Sequence, residues 1–200
     1  MNIKKTIDSL NKNNIEAKYI TSRKKLFETL QEYLFDNCTV GYGGSETLNQ
    51  LEIKQWLRQK DNIKLFDRDI SGKRLEDMMS SLTCDLFLMS SNAITEDGEL
   101  YNIDGFGNRV AALIYGPKKV FVICGENKIV KNIEQAQQRV KTISAPLNAK
   151  RLNRKTPCVI SGHCENCDSP ERICSTVVIT KKQLNKNRIT VLIINENLGF

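Results

Sequence analysis

Short apolar runs typical of β-strands alternate with amphipathic helical segments along most of this chain. The runs at 84–89 (CDLFLM) and 118–124 (KKVFVIC) have the composition of strands buried on both faces of a sheet. Segments with helical spacing of apolar residues separate most of these runs. Such alternation is typical of an α/β layered fold with a mostly parallel sheet. Five further strands are predicted at 15–20, 38–42, 62–67, 175–180 and 188–194.

Composition places the chain among ordinary globular proteins. The 200 residues suit one domain with a sizeable core, and hydrophobic content is 40% with 26% charged residues. No apolar run approaches the roughly 20 residues that a membrane helix needs. The N-terminal sequence MNIKKTIDSL has lysines but no following apolar block. We therefore expect a cytoplasmic protein that does not contact membranes.

The formal net charge of +7 is unevenly distributed. Residues 141–190 contain ten Lys and Arg against three Asp and Glu, whereas the remainder of the chain is balanced. Aromatic residues are few and are not interleaved with the basic ones, so nucleic acid is not the expected partner. A small anionic metabolite or an anionic cluster would suit this basic segment, and a solvated basic surface is the alternative.

The segment GYGGSETL (41–48) predicts a strand that turns through glycines into a helix capped by Ser45. Unpaired backbone N–H groups at such a turn favour a phosphate or carboxylate. The segment lacks the lysine of a P-loop and is not GxGxxG, so we predict no nucleotide cofactor. The alternative interpretation is a structural turn with Ser45 as its cap.

Acidic and basic side chains crowd into the segment between the two buried runs. Asp97-Gly98 predicts a two-residue hairpin turn, and the glycine-rich stretch 104–107 precedes a short helix. Carboxylates held near an arginine can act as general base, nucleophile or substrate ligand. We therefore assign candidate catalytic roles to Glu96, Asp104 and Arg109. Each of these residues has a simpler interpretation as an exposed loop acid or an ion-pair partner.

Four of the seven cysteines lie in a polar segment at 153–175 that interrupts the α/β pattern. Their spacing, C-x5-C-x2-C-x6-C, contains a metal knuckle and completes a four-thiolate set suited to zinc or a [4Fe-4S] cluster. His163 is a candidate ligand or supporting donor. Free thiols or a reducible disulfide are the alternatives. The predicted metal ligands are Cys158, Cys164, Cys167 and Cys174.

Three segments together resemble the lactate utilization (LUD) domain family. They are GGSETL, SNAITEDGELYNIDGFGNRVAALIYGPKKVFVICGENKIV and TPCVISGHCENCDSPERIC, and the resemblance covers essentially the whole chain. It implies a single LUD domain over residues 1–200 with the cysteine-rich insert inside it. The family is similar in fold to the ribose-5-phosphate isomerase, glucosamine-6-phosphate deaminase and CoA-transferase group. That likeness implies a Rossmann-like open sheet, mostly parallel, with helices on both faces and ligand at the strand C-termini.

Two functions follow as expectations, and the sequence does not decide whether the protein is an enzyme. The first is a protein of lactate or organic-acid utilization, with iron–sulfur oxidoreductase subunits as partners. The second is an isomerase- or transferase-like enzyme or binding module for a sugar phosphate or acyl-CoA, with structural zinc. The sequence does not decide whether the protein forms a homo-oligomer. The predicted ligand-binding residues are Gly43, Gly44, Ser45, Thr47, Asn92, Gly98, Gly105, Gly107, Asn108 and Lys128.

Overall fold

The main sheet has six strands, all parallel, in the order β1-β10-β7-β4-β2-β3. The computed structural model describes residues 1–200. The last strand in the sequence lies between the first strand and β7, so the chain returns to the middle of the sheet. This is the predicted Rossmann-like open sheet. The strands are β1 (Glu16–Ile20), β2 (Cys38–Tyr42), β3 (Ile63–Phe66), β4 (Leu86–Met89), β7 (Lys119–Gly125) and β10 (Ile189–Ile194).

Helices cover both faces of this sheet because alternate residues of its central strands point to opposite sides. In β7, Val120 belongs to a buried cluster with Leu113, whereas Phe121 belongs to a second cluster with Leu26. Each cluster contains 17 buried residues, so the two faces contribute comparably to the core. The helices are α1 (Ile3–Lys12), α2 (Arg23–Gln31), α3 (Glu46–Gln50), α4 (Ile53–Arg58), α5 (Arg74–Ser80), α6 (Asn108–Ile114), α7 (Ile133–Arg139), α8 (Ala145–Arg151) and α9 (Pro157–Ser161).

A second sheet of four strands has the order β8-β5-β6-β9. Its β5–β6 hairpin is the predicted one, but three residues form the loop, because Thr95 and Glu99 pair across it. Only Gly98 has positive φ, whereas a type I′ turn needs two such residues. A third small cluster packs this sheet against α7. The strands are β5 (Ala93–Thr95), β6 (Leu100–Asp104), β8 (Ile129–Val130) and β9 (Thr176–Thr180).

Two predicted helices differ in detail from the structure. The segment after Ser45 divides into α3 and α4 because Glu52 adopts a left-handed conformation with φ of 55°. The sequence also predicts a helix from Ile133 that ends at Pro146, with a short helix starting there and running through Leu152. The short helix is α8, but no break separates it from α7, because a π-helical turn at Val140–Ser144 joins the two. Pro146 lies in the first turn of α8, where a missing N–H costs least. None of the helices has the length and apolar character needed to cross a membrane.

Candidate functional site

A pocket of about 730 Å³ opens beside the carboxyl ends of β2 and β4. Parallel strands deliver the residues that follow them to the same edge of a sheet, so segments distant in sequence meet there. Gly44 and Ser45 follow β2, Ser90 and Asn92 follow β4, and Lys128 lies just beyond β7. The pocket therefore contains several of the predicted ligand-binding residues: Gly44, Ser45, Asn92, Gly105, Asn108 and Lys128.

The lining of this pocket is polar and carries an excess of positive charge. Eight cationic side chains face four carboxylates around it, so an anion is the favoured occupant. The carboxylates are Glu46, Asp69, Asp104 and Glu171, and the cations are Lys54, Arg68, Arg74, Arg109, Lys128, Arg151, Arg154 and Arg172.

Arg109 is the most completely bonded of these cations. Its Nη1 donates to the Ser90 carbonyl at 2.8 Å and to Asn102 Oδ1 at 2.6 Å. Its Nη2 donates to Asn92 Oδ1 at 3.2 Å and to the Ile103 carbonyl at 2.6 Å. Burial lowers the pKa of Arg109, and the nearby Asp104 carboxylate opposes that shift. With its donors engaged, Arg109 joins the end of β4 to β6 and is a positioning residue.

Asp104 is engaged in the same network. Its Oδ2 lies 3.2 Å from Arg109 Nε, and its Oδ1 accepts the Gly107 N–H at 2.9 Å. Gly107 precedes α6 with φ of 83°, a conformation that glycine adopts without strain. This carboxylate therefore stabilises the glycine turn and the arginine. No observation here favours its predicted role as a base.

Lys128 differs from Arg109 in having almost no partner. The residue is 4% exposed, and its Nζ has one hydrogen bond, to Ser90 Oγ at 3.3 Å. No carboxylate lies within 4.0 Å of it among the ion pairs of the structure. Burial lowers its pKa from 10.5 to about 8, and the charges of Arg139 and Arg109 contribute. An ammonium group buried without an anion is costly, so this position favours an anionic ligand.

Arg68 is the second buried cation with unused donors. Its side chain is 7% exposed, its Nε has no hydrogen-bond partner, and its nearest carboxylate, Asp69, is 4.0 Å away. Burial lowers its pKa. With the Asn108 amide turned so that its oxygen faces the donors, Nη1 donates to that oxygen at 2.9 Å. The Arg68 Nε–H is thus a buried donor in the pocket wall without a protein acceptor.

The glycine turn after β2 lines the pocket through Gly44 and Ser45 but not through Gly43 or Thr47. Ser45 caps α3 through a hydrogen bond from the Leu48 N–H at 3.3 Å, as expected. However, α3 has only five residues, so its dipole is small and does not define an anion site by itself. Gly43 lies against the Arg109 side chain, and buried Thr47 shares a hydrogen bond with Ser90 at 3.3 Å. These two residues support the pocket without lining it.

Glu96 and Gly98 lie outside the pocket, in the β5–β6 turn. Glu96 accepts the Asn2 N–H at 2.9 Å and lies 3.7 Å from the chain's amino group. A Cβ on Gly98 would lie 2.5 Å from backbone atoms of Ser9 and Leu10. The turn therefore packs on α1, and the predicted grouping of Glu96 with Asp104 and Arg109 is not found.

The four predicted metal ligands are half-buried, and no group of three or more His, Cys, Asp and Glu side chains is placed to hold a metal ion. The donor chemistry fits zinc or a cluster, but the arrangement of the side chains does not. His163 pairs with Glu165 at 3.0 Å. The zinc or [4Fe-4S] site stays a prediction. Cys38, Cys84 and Cys124 are buried core residues, as expected.

A family model described as LUD domain matches residues 3–194. The chain belongs to the LUD domain family. This confirms the resemblance carried by the three sequence segments, and it supports a function related to lactate utilization. A comparison with curated proteins finds no match.

Among solved structures, this LUD domain is similar to a DUF162 family protein from Deinococcus radiodurans. The TM-score is 0.53 with 11% sequence identity, and the alignment covers 97% of this chain and 96% of the other. At this identity the likeness concerns the fold alone. The alignment extends over almost all of both chains, so the likeness is to the whole fold described above.

Sequence reasoning missed six cationic residues of the pocket: Lys54, Arg68, Arg74, Arg151, Arg154 and Arg172. Three of them, Arg68, Arg154 and Arg172, have an Nε that is buried without a hydrogen-bond partner. Arg68 follows β3, whereas Arg151, Arg154 and Arg172 lie in the basic segment at 141–190. The charge of that segment is visible in the sequence, but only the tertiary structure brings these three arginines to the sheet edge. Arg68 had no local signal.

Proposed function

We propose that this LUD domain binds a small organic anion, a carboxylate or phosphate ester, in its sheet-edge pocket as part of lactate or organic-acid utilization. The observation that carries the proposal is the pair of buried, largely unpartnered cations, Arg68 and Lys128. Proteins bury a charge at a cost of several kcal/mol unless it is paired. A bound anion would offset that cost for both residues.

The polar lining makes a hydrophilic ligand the best match. Only five of the 29 lining residues are hydrophobic, so a ligand with an extended apolar body would leave polar groups without partners. The volume of about 730 Å³ is ample for a small metabolite. Membership of the family supports the lactate-utilization context. The cytoplasmic location and the iron–sulfur partner subunits remain part of the proposal.

An isomerase- or transferase-like reaction has less support because no free carboxylate base is available among the predicted ones. Asp104 is bonded to Arg109 and to the Gly107 N–H, and Glu96 lies against α1. Sugar phosphates and acyl-CoA therefore enter as candidate ligands rather than as substrates of an assigned reaction.

The proposal is tested by thermal denaturation at constant ionic strength with L-lactate, pyruvate, ribose 5-phosphate, acetyl-CoA and inorganic phosphate. L-lactamide serves as the uncharged counterpart of lactate. A ligand that binds only the folded state raises the free energy of unfolding by RT ln(1 + [L]/Kd), and the melting temperature rises with it. We expect at least one anion to stabilise the wild-type protein, while lactamide has no effect.

The matched variants are Arg68→Met and Lys128→Met, each expected to weaken the anion at least tenfold, since a charge-assisted hydrogen bond contributes roughly 1.5–3 kcal/mol. Lys182→Met, on an exposed lysine outside the pocket, removes the same charge and should bind normally. If all three variants respond to every anion as the wild-type protein does, the pocket is not the binding site and the proposal fails.

A further inference from the structure

The cysteine-rich segment forms part of the wall of the anion pocket. Pro170, Glu171, Arg172 and Ile173 all line it. They lie between Cys167 and Cys174, two of the four clustered cysteines. A change at these cysteines therefore occurs within the stretch of chain that faces the ligand. Of the four lining residues, only Arg172 can offer an anion a positive charge.

Both ends of the Arg172 guanidinium are bonded to the flanking cysteines. Nη1 donates to the Cys167 carbonyl at 3.1 Å, and Nη2 donates to the Cys174 carbonyl at 3.2 Å. Nη2 also lies 3.5 Å from Cys174 Sγ. The hydrogen bond to Cys174 raises the pKa of Arg172, so the guanidinium keeps its charge. The two cysteines thus set the orientation of this side chain.

The third edge of the guanidinium is free. Arg172 Nε is buried and has no protein acceptor, although the side chain as a whole is half-buried and lines the pocket. Arg154, which also lines the pocket, has the same feature. A buried N–H without a partner is rare in folded proteins and calls for an acceptor. A carboxylate or phosphate oxygen in the pocket would supply it.

We infer that Arg172 is an anion-binding residue of the pocket, held in its binding orientation by Cys167 and Cys174. This rests on the proposed function, because it concerns the same pocket.

The test uses inorganic phosphate as the probe, with chloride at matched ionic strength as background. Phosphate affinity is measured for the wild-type protein, Arg172→Met, Arg172→Lys and Lys182→Met. We expect Arg172→Met to bind phosphate roughly tenfold more weakly than the wild-type protein, because the variant loses one charge-assisted hydrogen bond from a half-exposed side chain. Arg172→Lys keeps the charge but not the planar fork, so it should recover only part of the affinity. Lys182→Met should match the wild type.

The two proposals fail in different ways. If phosphate binding depends on Arg68 and Lys128 but Arg172→Met behaves like Lys182→Met, Arg172 is not a binding residue and the inference is overturned. If phosphate does not bind the wild-type protein, both this inference and the phosphate form of the proposed function are rejected.

Discussion

Arg109 and Lys128 lie in the same pocket and are both almost fully buried, yet their surroundings are opposite. Arg109 donates to four oxygen atoms and pairs with Asp104. Lys128 has one long hydrogen bond to Ser90 and no carboxylate. Burial lowers the pKa of both groups, but only Arg109 has a nearby carboxylate that opposes the shift.

Under the proposed function, the difference separates a residue that maintains the fold from one that is placed to bind a ligand. A buried cation with all its donors satisfied fixes the geometry of the segments that it joins. A buried cation without partners lowers stability in the absence of ligand, and that cost persists only where binding compensates for it. The sequence segment richest in candidate catalytic residues, 96–109, proves to be largely of the first kind.

The largest effect is expected for Arg109→Met. The substitution leaves the Asp104 carboxylate and the Asn102 amide buried without their partner, and loss of one member of a buried pair costs about 3–5 kcal/mol. Urea denaturation should show this decrease in the free energy of unfolding. Arg109→Lys keeps the charge but loses the planar guanidinium fork, so its free energy of unfolding should lie between those of the wild-type protein and Arg109→Met. A decrease below about 1 kcal/mol would remove the contrast with Lys128.

Lys128→Met should raise the free energy of unfolding, whereas Arg109→Met should lower it. Because the pKa of Lys128 is lowered to about 8 in the folded protein, the unfolded chain binds more protons between that pH and 10.5. The free energy of unfolding of the wild-type protein therefore rises across this window, by about 3 kcal/mol in total. Below pH 8 the lysine is charged in both states, so replacing it with methionine should stabilise the protein without ligand.

Urea denaturation of the wild-type protein and Lys128→Met at several pH values between about 7 and about 10.5 isolates this contribution, because other titrating groups are common to both. The stability advantage of the variant should shrink as the pH rises. A constant difference between the two proteins would mean that the ammonium is not destabilised by burial.

The strands were predictable because their signal is local. The apolar runs at 84–89 and 118–124 predict β4 and β7 independently of the rest of the chain, and the Asp97-Gly98 dipeptide predicts a hairpin. The break at Glu52 was not predictable, since a left-handed conformation at a glutamate follows from tertiary packing and not from propensity. The unbroken junction between α7 and α8 likewise depends on a π-helical turn without a sequence signature.

The same distinction between local signals and tertiary contacts applies to the candidate site. Gly44, Ser45, Asn92, Asn108 and Lys128 were predicted in segments that adjoin strands and helix starts, and the structure places all five in the pocket. The sequence neighbours of a polar residue do not identify its hydrogen-bond partners in the fold. The sequence showed Asp104 near Arg109, but not that the two satisfy each other, nor that Glu96 lies against α1. It also gave no indication that Arg68 lacks a partner.

The smallest expected effect on stability concerns the adjacent glycines after β2, and it tests how rigidly the Arg109 network is held. A Cβ on Gly43 would lie 2.9 Å from Arg109 Cγ and 3.0 Å from Cδ, whereas a Cβ on Gly44 would meet nothing within 4 Å. Gly43→Ala must therefore displace the arginine that holds β4 to β6, at a cost of about 1–2 kcal/mol, while Gly44→Ala should change stability by less than about 0.5 kcal/mol. Denaturation of the two variants measures this difference. Equal stabilities would mean that Arg109 moves aside freely, and its network would then be too pliable to define the pocket.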